Sequence, residues 1–203
     1  MPNWIQYPTT LHGETVDLIA LDETHFPELQ SAAMDTRIWE FTLNDSSTPE
    51  KFNFAYTKAL EGMEKGDEFA FVVYHKRDKK LIGSTRFLDL NEYHKKLEIG
   101  WTWYHPDYWA TEVNFECKLL LLTYAFETLN VNRVTIITDQ NNKRSRKAIE
   151  KIGGIFEGIL RNDMIRDNGT VRSTAYYSII SEEWSDVKER LEAMYREKVS
   201  SRK

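Results

Sequence analysis

Val134-Thr135-Ile136-Ile137-Thr138-Asp139 leads, through a two-residue corner, into Asn142-Lys143-Arg144-Ser145-Arg146-Lys147-Ala148-Ile149-Glu150-Lys151-Ile152-Gly153-Gly154. The first block is apolar on both faces, which predicts a strand in a central position. The second opens on a good N-cap residue, continues as a short basic amphipathic helix and stops at glycine. Asn142 and Ser145 therefore stand one helical turn apart, where a strand opens into a helix.

Downstream, the stretches 155–166 and 171–181 flank Asp167-Asn168-Gly169, a hairpin turn signal. Ser181 is placed to cap a last helix at about 182–197, with Trp184, Val187, Leu191 and Met194 on one face. The tail 198–203 is expected to fray. Upstream, a helix at about 111–129 carries the apolar stripe Phe115, Leu119, Leu122, Phe126 and Leu129. Before it comes Leu97-Glu98-Ile99-Gly100-Trp101-Thr102-Trp103-Tyr104, a strand closed by Pro106. Gly100 there marks a bulge or a close approach of another backbone. The runs 69–74 and 81–87 form a hairpin across a charged turn. Thr48-Pro49 starts a helix with Phe52, Tyr56, Ala59 and Met63 on one side and Gly66 as its stop. A helix at 23–34 follows a first strand at 16–21. The order β-α-α-β-β-β-α-β-α-β-β-α predicts a mixed α/β sheet of about seven strands, with helices on both faces. One domain, 1–203, with its core at about 14–184, accounts for the length.

Net charge is −5, which disfavours nucleic-acid binding, because phosphate neutralisation needs a basic face. Cys117 is the only cysteine, so no internal disulfide can form. With no basic n-region or apolar h-region at the start, and Leu119–Leu122 as the longest conspicuous apolar run, the expectation is a soluble, cytoplasmic protein that avoids membranes. His12, His25, His75, His94 and His105 have no metal-ligand spacing, so no metal is expected.

Several blocks act together: Glu98-Ile99-Gly100-Trp101, Asn114-Phe115-Glu116-Cys117-Lys118-Leu119-Leu120-Leu121-Leu122, Asn142-Lys143-Arg144-Ser145, Glu150-Lys151-Ile152-Gly153 and Glu157-Gly158-Ile159-Leu160-Arg161. In this order and spacing the chain resembles the GNAT superfamily of acetyl-coenzyme A-dependent N-acetyltransferases. It is most similar to the branch with the ribosomal-protein N-terminal (alanine or serine) acetyltransferases. The likeness runs from about Thr15 to Trp184. It implies a GNAT-like fold, acetyl-coenzyme A as acetyl donor, a peptide N-terminus or small amine as acceptor, and a possible homodimer.

The resemblance also implies roles for residues. The loop into the 111–129 helix, with Trp109, Ala110, Thr111, Glu112, Val113 and Asn114, would hold the pyrophosphate on backbone N–H groups. The family's pattern there is Gln/Arg-x-x-Gly-x-Gly/Ala, and Asp107, Ala110 and Glu112 depart from it. Ala110 keeps the backbone donors if its φ stays negative. Glu112 must point outward or weaken the cofactor, since a carboxylate about 4 Å from phosphate costs on the order of 1 kcal/mol even in water. Trp101, Thr102 and Trp103 map to the strand whose main chain pairs with pantetheine; their side chains read as core or acceptor wall. Asn142 and Arg144 face the cofactor, or cap and solvate the helix. The basic residues Lys143, Arg146, Lys147 and Lys151 meet the 3′-phosphate or simply face water.

An amine attacks only when neutral, so a proton must leave. Glu98 is the candidate base, or else a solvated strand glutamate. Ile149 stands where many relatives carry a tyrosine that protonates the leaving thiolate. Ser145 is then the candidate donor to sulfur, or else it only supports the helix start. Trp39 and Phe41, near Arg37, shape the acceptor pocket or belong to the core. The alternatives to an enzyme are a catalytically silent acyl-coenzyme A-binding or regulatory domain and an adaptor using the basic helix.

Overall fold

Thr48 and Gly66 bracket the helix α2 (Pro49–Lys65). The structure, a computed structural model, describes residues 4–201. Thr48 Oγ1 accepts from the Lys51 N–H, Pro49 fills the first turn, and Gly66 closes the helix at φ 77°, a value glycine adopts without strain. Phe52, Tyr56, Ala59 and Met63 are all buried, as their spacing predicts. Each fully buried side chain of this size contributes roughly 1.5–3 kcal/mol.

Eight strands form one sheet: β1 (Thr10–His12), β2 (Val16–Ala20), β3 (Phe69–His75), β4 (Lys80–Asn91), β5 (Lys96–Tyr104), β6 (Arg133–Asp139), β7 (Ile155–Ile165) and β8 (Val171–Ile180). Their order is β1-β2-β3-β4-β5-β6-β8-β7. The other helices are α1 (Phe26–Ala33), α3 (Val113–Thr123), α4 (Lys143–Lys151) and α5 (Trp184–Ser200). Only β5 and β6 pair in parallel, with α3 as their crossover; all other pairs are antiparallel. Successive β5 residues touch helices on opposite faces. Trp103 Nε1–H donates to Tyr56 Oη of α2 (2.8 Å), and Tyr104 Oη–H donates to Asn114 Oδ1 of α3 (3.3 Å).

The mixed α/β expectation holds, with corrections. The strand count rises to eight because Thr10–His12 pairs antiparallel with Asp17–Ile19, a segment too short to show a period. The α3 helix starts at Val113 and passes into a π turn at Tyr124–Thr128. That turn and the packing of α3 against α5 bury Leu121 fully, while Leu119 of the expected stripe is only partly covered. Ser181 does not cap α5; Ser181–Glu183 is a 3-10 turn, and Ser181 Oγ–H donates to Glu182. The last helix runs on to Ser200 rather than ending near 197. Residues 202–203 of the expected tail lie outside the described residues. No helix among the described residues is long and apolar enough to cross a membrane.

Candidate active site

The two parallel strands part company almost at once. β5 and β6 pair only through Lys96↔Arg133, Leu97↔Val134 and Glu98↔Thr135. Beyond Glu98 they diverge, and β5 turns an unpaired edge toward the gap. A bulge sits in that edge. Ser84 faces Trp103 and Arg86 faces Gly100, so Thr85 alone opposes Trp101 and Thr102. Trp101 takes up the extra residue at φ 48°. Of the two expectations for Gly100 the bulge is the one observed, since Gly100 borders it; a Cβ there would lie 2.8 Å from the side-chain atoms Glu98 Oε1 and Leu88 Cδ1, not from another backbone.

A cavity of about 510 Å³ fills the wedge. Its near end is the loop before α3, its flank is the first turn of α4, and its far end holds Glu98 and Arg172. Trp39, Phe41, Glu98, Trp101, Thr102, Trp103, Trp109, Ala110, Thr111, Asn114, Asn142, Arg144 and Ser145 all line it, so the fold brings the expected residues to one place. Glu112 and Val113 do not line it; both are buried. Glu112 therefore does not point outward, and it does not line the cavity. Ala110 is corrected as well: it sits at φ 59°, not in the negative region.

The two helix starts at this cavity differ in chemistry. Asn142 Oδ1 accepts from the Ser145 N–H at 2.9 Å and caps α4, which leaves its side-chain NH₂ for the cavity. At α3 the N-cap residue Glu112 supplies no side-chain cap; Thr111 Oγ1 accepts from the Val113 N–H at a long 3.3 Å. Trp109 Nε1–H donates to the Tyr104 carbonyl (2.9 Å), and the Arg144 guanidinium lies 3.7 Å above the Trp109 ring. That contact ties α4 to the loop. Of the other basic residues, Arg146 donates to Tyr177 Oη (2.9 Å) and Lys151 sits 5.1 Å from the Phe115 ring centre.

At the far end, Asp167 N–H donates to the Leu43 carbonyl (3.0 Å) and Asp45 N–H donates to Asp167 Oδ2 (3.1 Å), so the β7–β8 turn roofs the segment 39–45. Trp39 is mostly core: it is buried, donates to the Ala33 carbonyl (2.8 Å) and packs on Trp103. Phe41 is only partly buried, whereas Arg37 turns to an exposed pair with Asp35. Glu98 is pushed up to about 7, chiefly by burial and then by Asp89, with Arg172 pulling the other way. Cys117 is buried and its thiol is pushed up to about 12 by burial, so it is a core residue rather than a nucleophile.

Lys118 and Arg172 are among the cavity residues to which the sequence assigned no role. Lys118 is one of two charges, with Glu116, in an otherwise mostly apolar helical run, which was the available signal. Arg172 occupies a strand position like its polar neighbours, and nothing local distinguished it.

The sequence pattern of the GNAT acetyltransferase domain matches residues 16–155, more than half of the chain. The chain belongs to the GNAT acetyltransferase family. Among curated relatives it is 34% identical over 129 residues to the Bacillus subtilis (strain 168) protein named "putative ribosomal N-acetyltransferase YdaF", covering 64% of this chain and 65% of that one. It is 33% identical over 102 residues to the "uncharacterized N-acetyltransferase YoaA" of the same organism, covering 50% and 56%. The matches thus span less than two thirds of these relatives' lengths. A GCN5-related N-acetyltransferase from Brucella melitensis superposes with a TM-score of 0.85 at 25% identity, over 94% of this chain and 86% of that one. The family's acetyl donor is acetyl-coenzyme A.

Proposed function

We propose that this GNAT chain transfers acetyl from acetyl-coenzyme A directly to a primary amine, either a peptide N-terminus or a small amine. The observation that carries the reading is the wedge itself: an unpaired, bulged β5 edge beside a helix start whose N-cap residue supplies no side-chain cap, with a carboxylate that titrates near neutrality at its inner end. The residues fit the donor. The α3 start offers N–H groups and a favourable dipole to the pyrophosphate. The β5 edge from Trp101 to Trp103 offers main-chain partners to the pantetheine amides, and an N–H at the bulge can hold the carbonyl oxygen as it gains charge. Glu98 takes the amine's proton. Ser145, with its hydroxyl on the α4 wall, is a candidate partner of the sulfur. YdaF's name supports a ribosomal-protein N-terminus as one acceptor. The lone buried thiol supports a cytoplasmic setting. The exposed apolar edge at Ile155, Phe156, Leu160 and Ile165 supports a homodimer. One sheet joining β1 to β8 supports a single domain.

Two measurements test this. Acetyl-coenzyme A at 100 times its Kd should stabilise the fold by roughly 2.7 kcal/mol. Thiol release over a panel of amines and peptides should then rise with pH through about 7 as Glu98 loses its proton. Glu98→Gln should remove that rise and lower turnover on the order of 10²-fold. Stabilisation without thiol release would point instead to a silent binder. The same substitution has a stability signature. Folded Glu98 titrates near 7 against an ordinary 4.5, so the native state holds more protons between those values. Stability from this group therefore falls as pH climbs through that window, and Glu98→Gln should be more stable at pH 8 by about 1–2 kcal/mol.

A further inference from the structure

We propose that Lys118 donates the proton that the departing coenzyme A sulfur takes up, from the cavity wall formed by α3. The inference rests on the acetyl-coenzyme A reading above and adds a residue to it.

The α3 helix buries two charges, and they are treated very differently. Glu116 accepts from three backbone N–H groups, those of Glu14 (2.6 Å), Thr15 (2.9 Å) and Val16 (2.7 Å), and staples α3 to the β1–β2 turn. Lys118 is equally buried, at 5% exposure, yet its Nζ donates only to Thr102 Oγ1 at 3.0 Å. It forms no ion pair among the described residues. An ammonium has three donors, so two remain, and Lys118 lines the cavity. A lysine held only for packing would be replaced by methionine at no loss, because a buried cation without a counter-charge is unfavourable.

Its position gives the charge a use. Thr102 follows the bulge residue Trp101, where the free β5 edge meets the cavity. A thioester bound along that edge would bring its carbonyl carbon, and the sulfur bonded to it, into the cavity that Lys118 lines. Across the cavity α4 presents Ile149, which is buried and has no proton to give, and Ser145, whose hydroxyl can donate a hydrogen bond to sulfur but is a far weaker acid than an ammonium.

The amine nitrogen's lone pair forms the N–C bond at the thioester carbonyl, and the amine's proton passes to Glu98. The C–S bond breaks with its electron pair on sulfur. A proton from Lys118 Nζ completes the free thiol, and solvent reprotonates the lysine. Burial lowers Lys118 to about 8, close to the reference thiol value of about 8.5, so neither direction of transfer is strongly uphill. The titratable groups around it are Tyr104 on β5 and Cys117 on α3, both raised by burial, with Glu98, Tyr108, Arg144, Lys151, Arg172 and Lys198 elsewhere on the cavity wall.

The test uses coenzyme A bound to the wild type, Lys118→Met and Lys118→Arg, with the thiolate's ultraviolet absorbance followed against pH. Bound thiol should ionise at lower pH in the wild type than in Lys118→Met by about one unit or more. Lys118→Arg keeps the cation but cannot release its proton, so it should retain the lowered ionisation while kcat falls on the order of 10²-fold. The KM for acetyl-coenzyme A should change by less than about 3-fold in either variant if the contact is made mainly in the transition state. Superimposable titrations of wild type and Lys118→Met, or full kcat in Lys118→Arg, overturn the role of Lys118 alone. No thermal stabilisation of the wild type by coenzyme A overturns the acetyl-coenzyme A reading and this one with it. Arginine keeps the site charged, so the comparison survives even if the methionine variant folds poorly.

Discussion

The starts of α3 and α4 flank one cavity, each the first α-helix after a strand that borders the wedge. In the fold they are opposites. The α4 start is closed by its own cap, because Asn142 Oδ1 takes the Ser145 N–H. The α3 start has no cap from its N-cap residue, since Glu112 is turned inward and buried. The first four N–H groups of a helix need partners. At α4 two of these groups find partners close by, the Lys143 N–H on the Asn141 carbonyl (2.8 Å) and the Ser145 N–H on Asn142 Oδ1 (2.9 Å); at α3 the side-chain partner is Thr111 Oγ1, reached by the Val113 N–H at a long 3.3 Å. The difference favours the α3 start over the α4 start as the proposed seat of the donor's phosphates, with α4 contributing a wall and one amide.

The sharpest way to break this contrast is Thr111→Asp. Thr111 lines the cavity at the open end, and its Oγ1 already reaches the Val113 N–H. An aspartate there would cap α3 and set a carboxylate against the phosphates. At about 4 Å the repulsion lies between about 1 kcal/mol in water and about 4 near a protein surface. Taking about 2 kcal/mol, coenzyme A should bind on the order of 30-fold more weakly. The fold itself should hold or gain up to about 1 kcal/mol from the cap and dipole. Calorimetric titration and thermal melting read the two effects separately. Unchanged affinity would remove the phosphates from this end.

A smaller effect is expected at the closed end. Asn142→Asp keeps a good cap, so the melting temperature should stay within error. It replaces the side-chain NH₂ that the cap leaves over with a charge, and coenzyme A affinity should drop about 10-fold, or about 1.4 kcal/mol. Asn142→Ala should lose the cap as well and destabilise by about 1 kcal/mol. If the aspartate variant binds normally, Asn142 is a cap and nothing more.

The contrast also explains what the sequence could disclose. The frame was legible because its signals are local: Thr48, Pro49 and Gly66 set α2, the 134–139 run set a central strand, and Asp167-Asn168-Gly169 set the last turn. The site residues were legible as a group because the family likeness ordered them. Their orientation was not. Whether Glu112 turns in or out depends on α3 packing against the sheet and α5, contacts far away in sequence. Lys118 was invisible as a site for the same reason: only the bulge at Trp101, and the divergence of β5 from β6, bring Thr102 and the cavity to its ammonium. β1 was missed because three residues carry no period.

The smallest predicted effect isolates the backbone of the open end. Ala110 holds φ 59°, a region that costs an L-residue roughly 1–2 kcal/mol and glycine almost nothing. Glycine would relieve that strain but gain roughly 0.4–1 kcal/mol of freedom in the unfolded chain. The net should be a stabilisation of about 0.5 kcal/mol in Ala110→Gly, read by denaturant melts. Coenzyme A affinity should not change, because the N–H directions are already those that glycine would adopt. A destabilised Ala110→Gly would mean that the loop does not hold the left-handed turn. The open N–H groups of α3 would then be aimed elsewhere, and the difference between the two helix starts would lose its geometric basis.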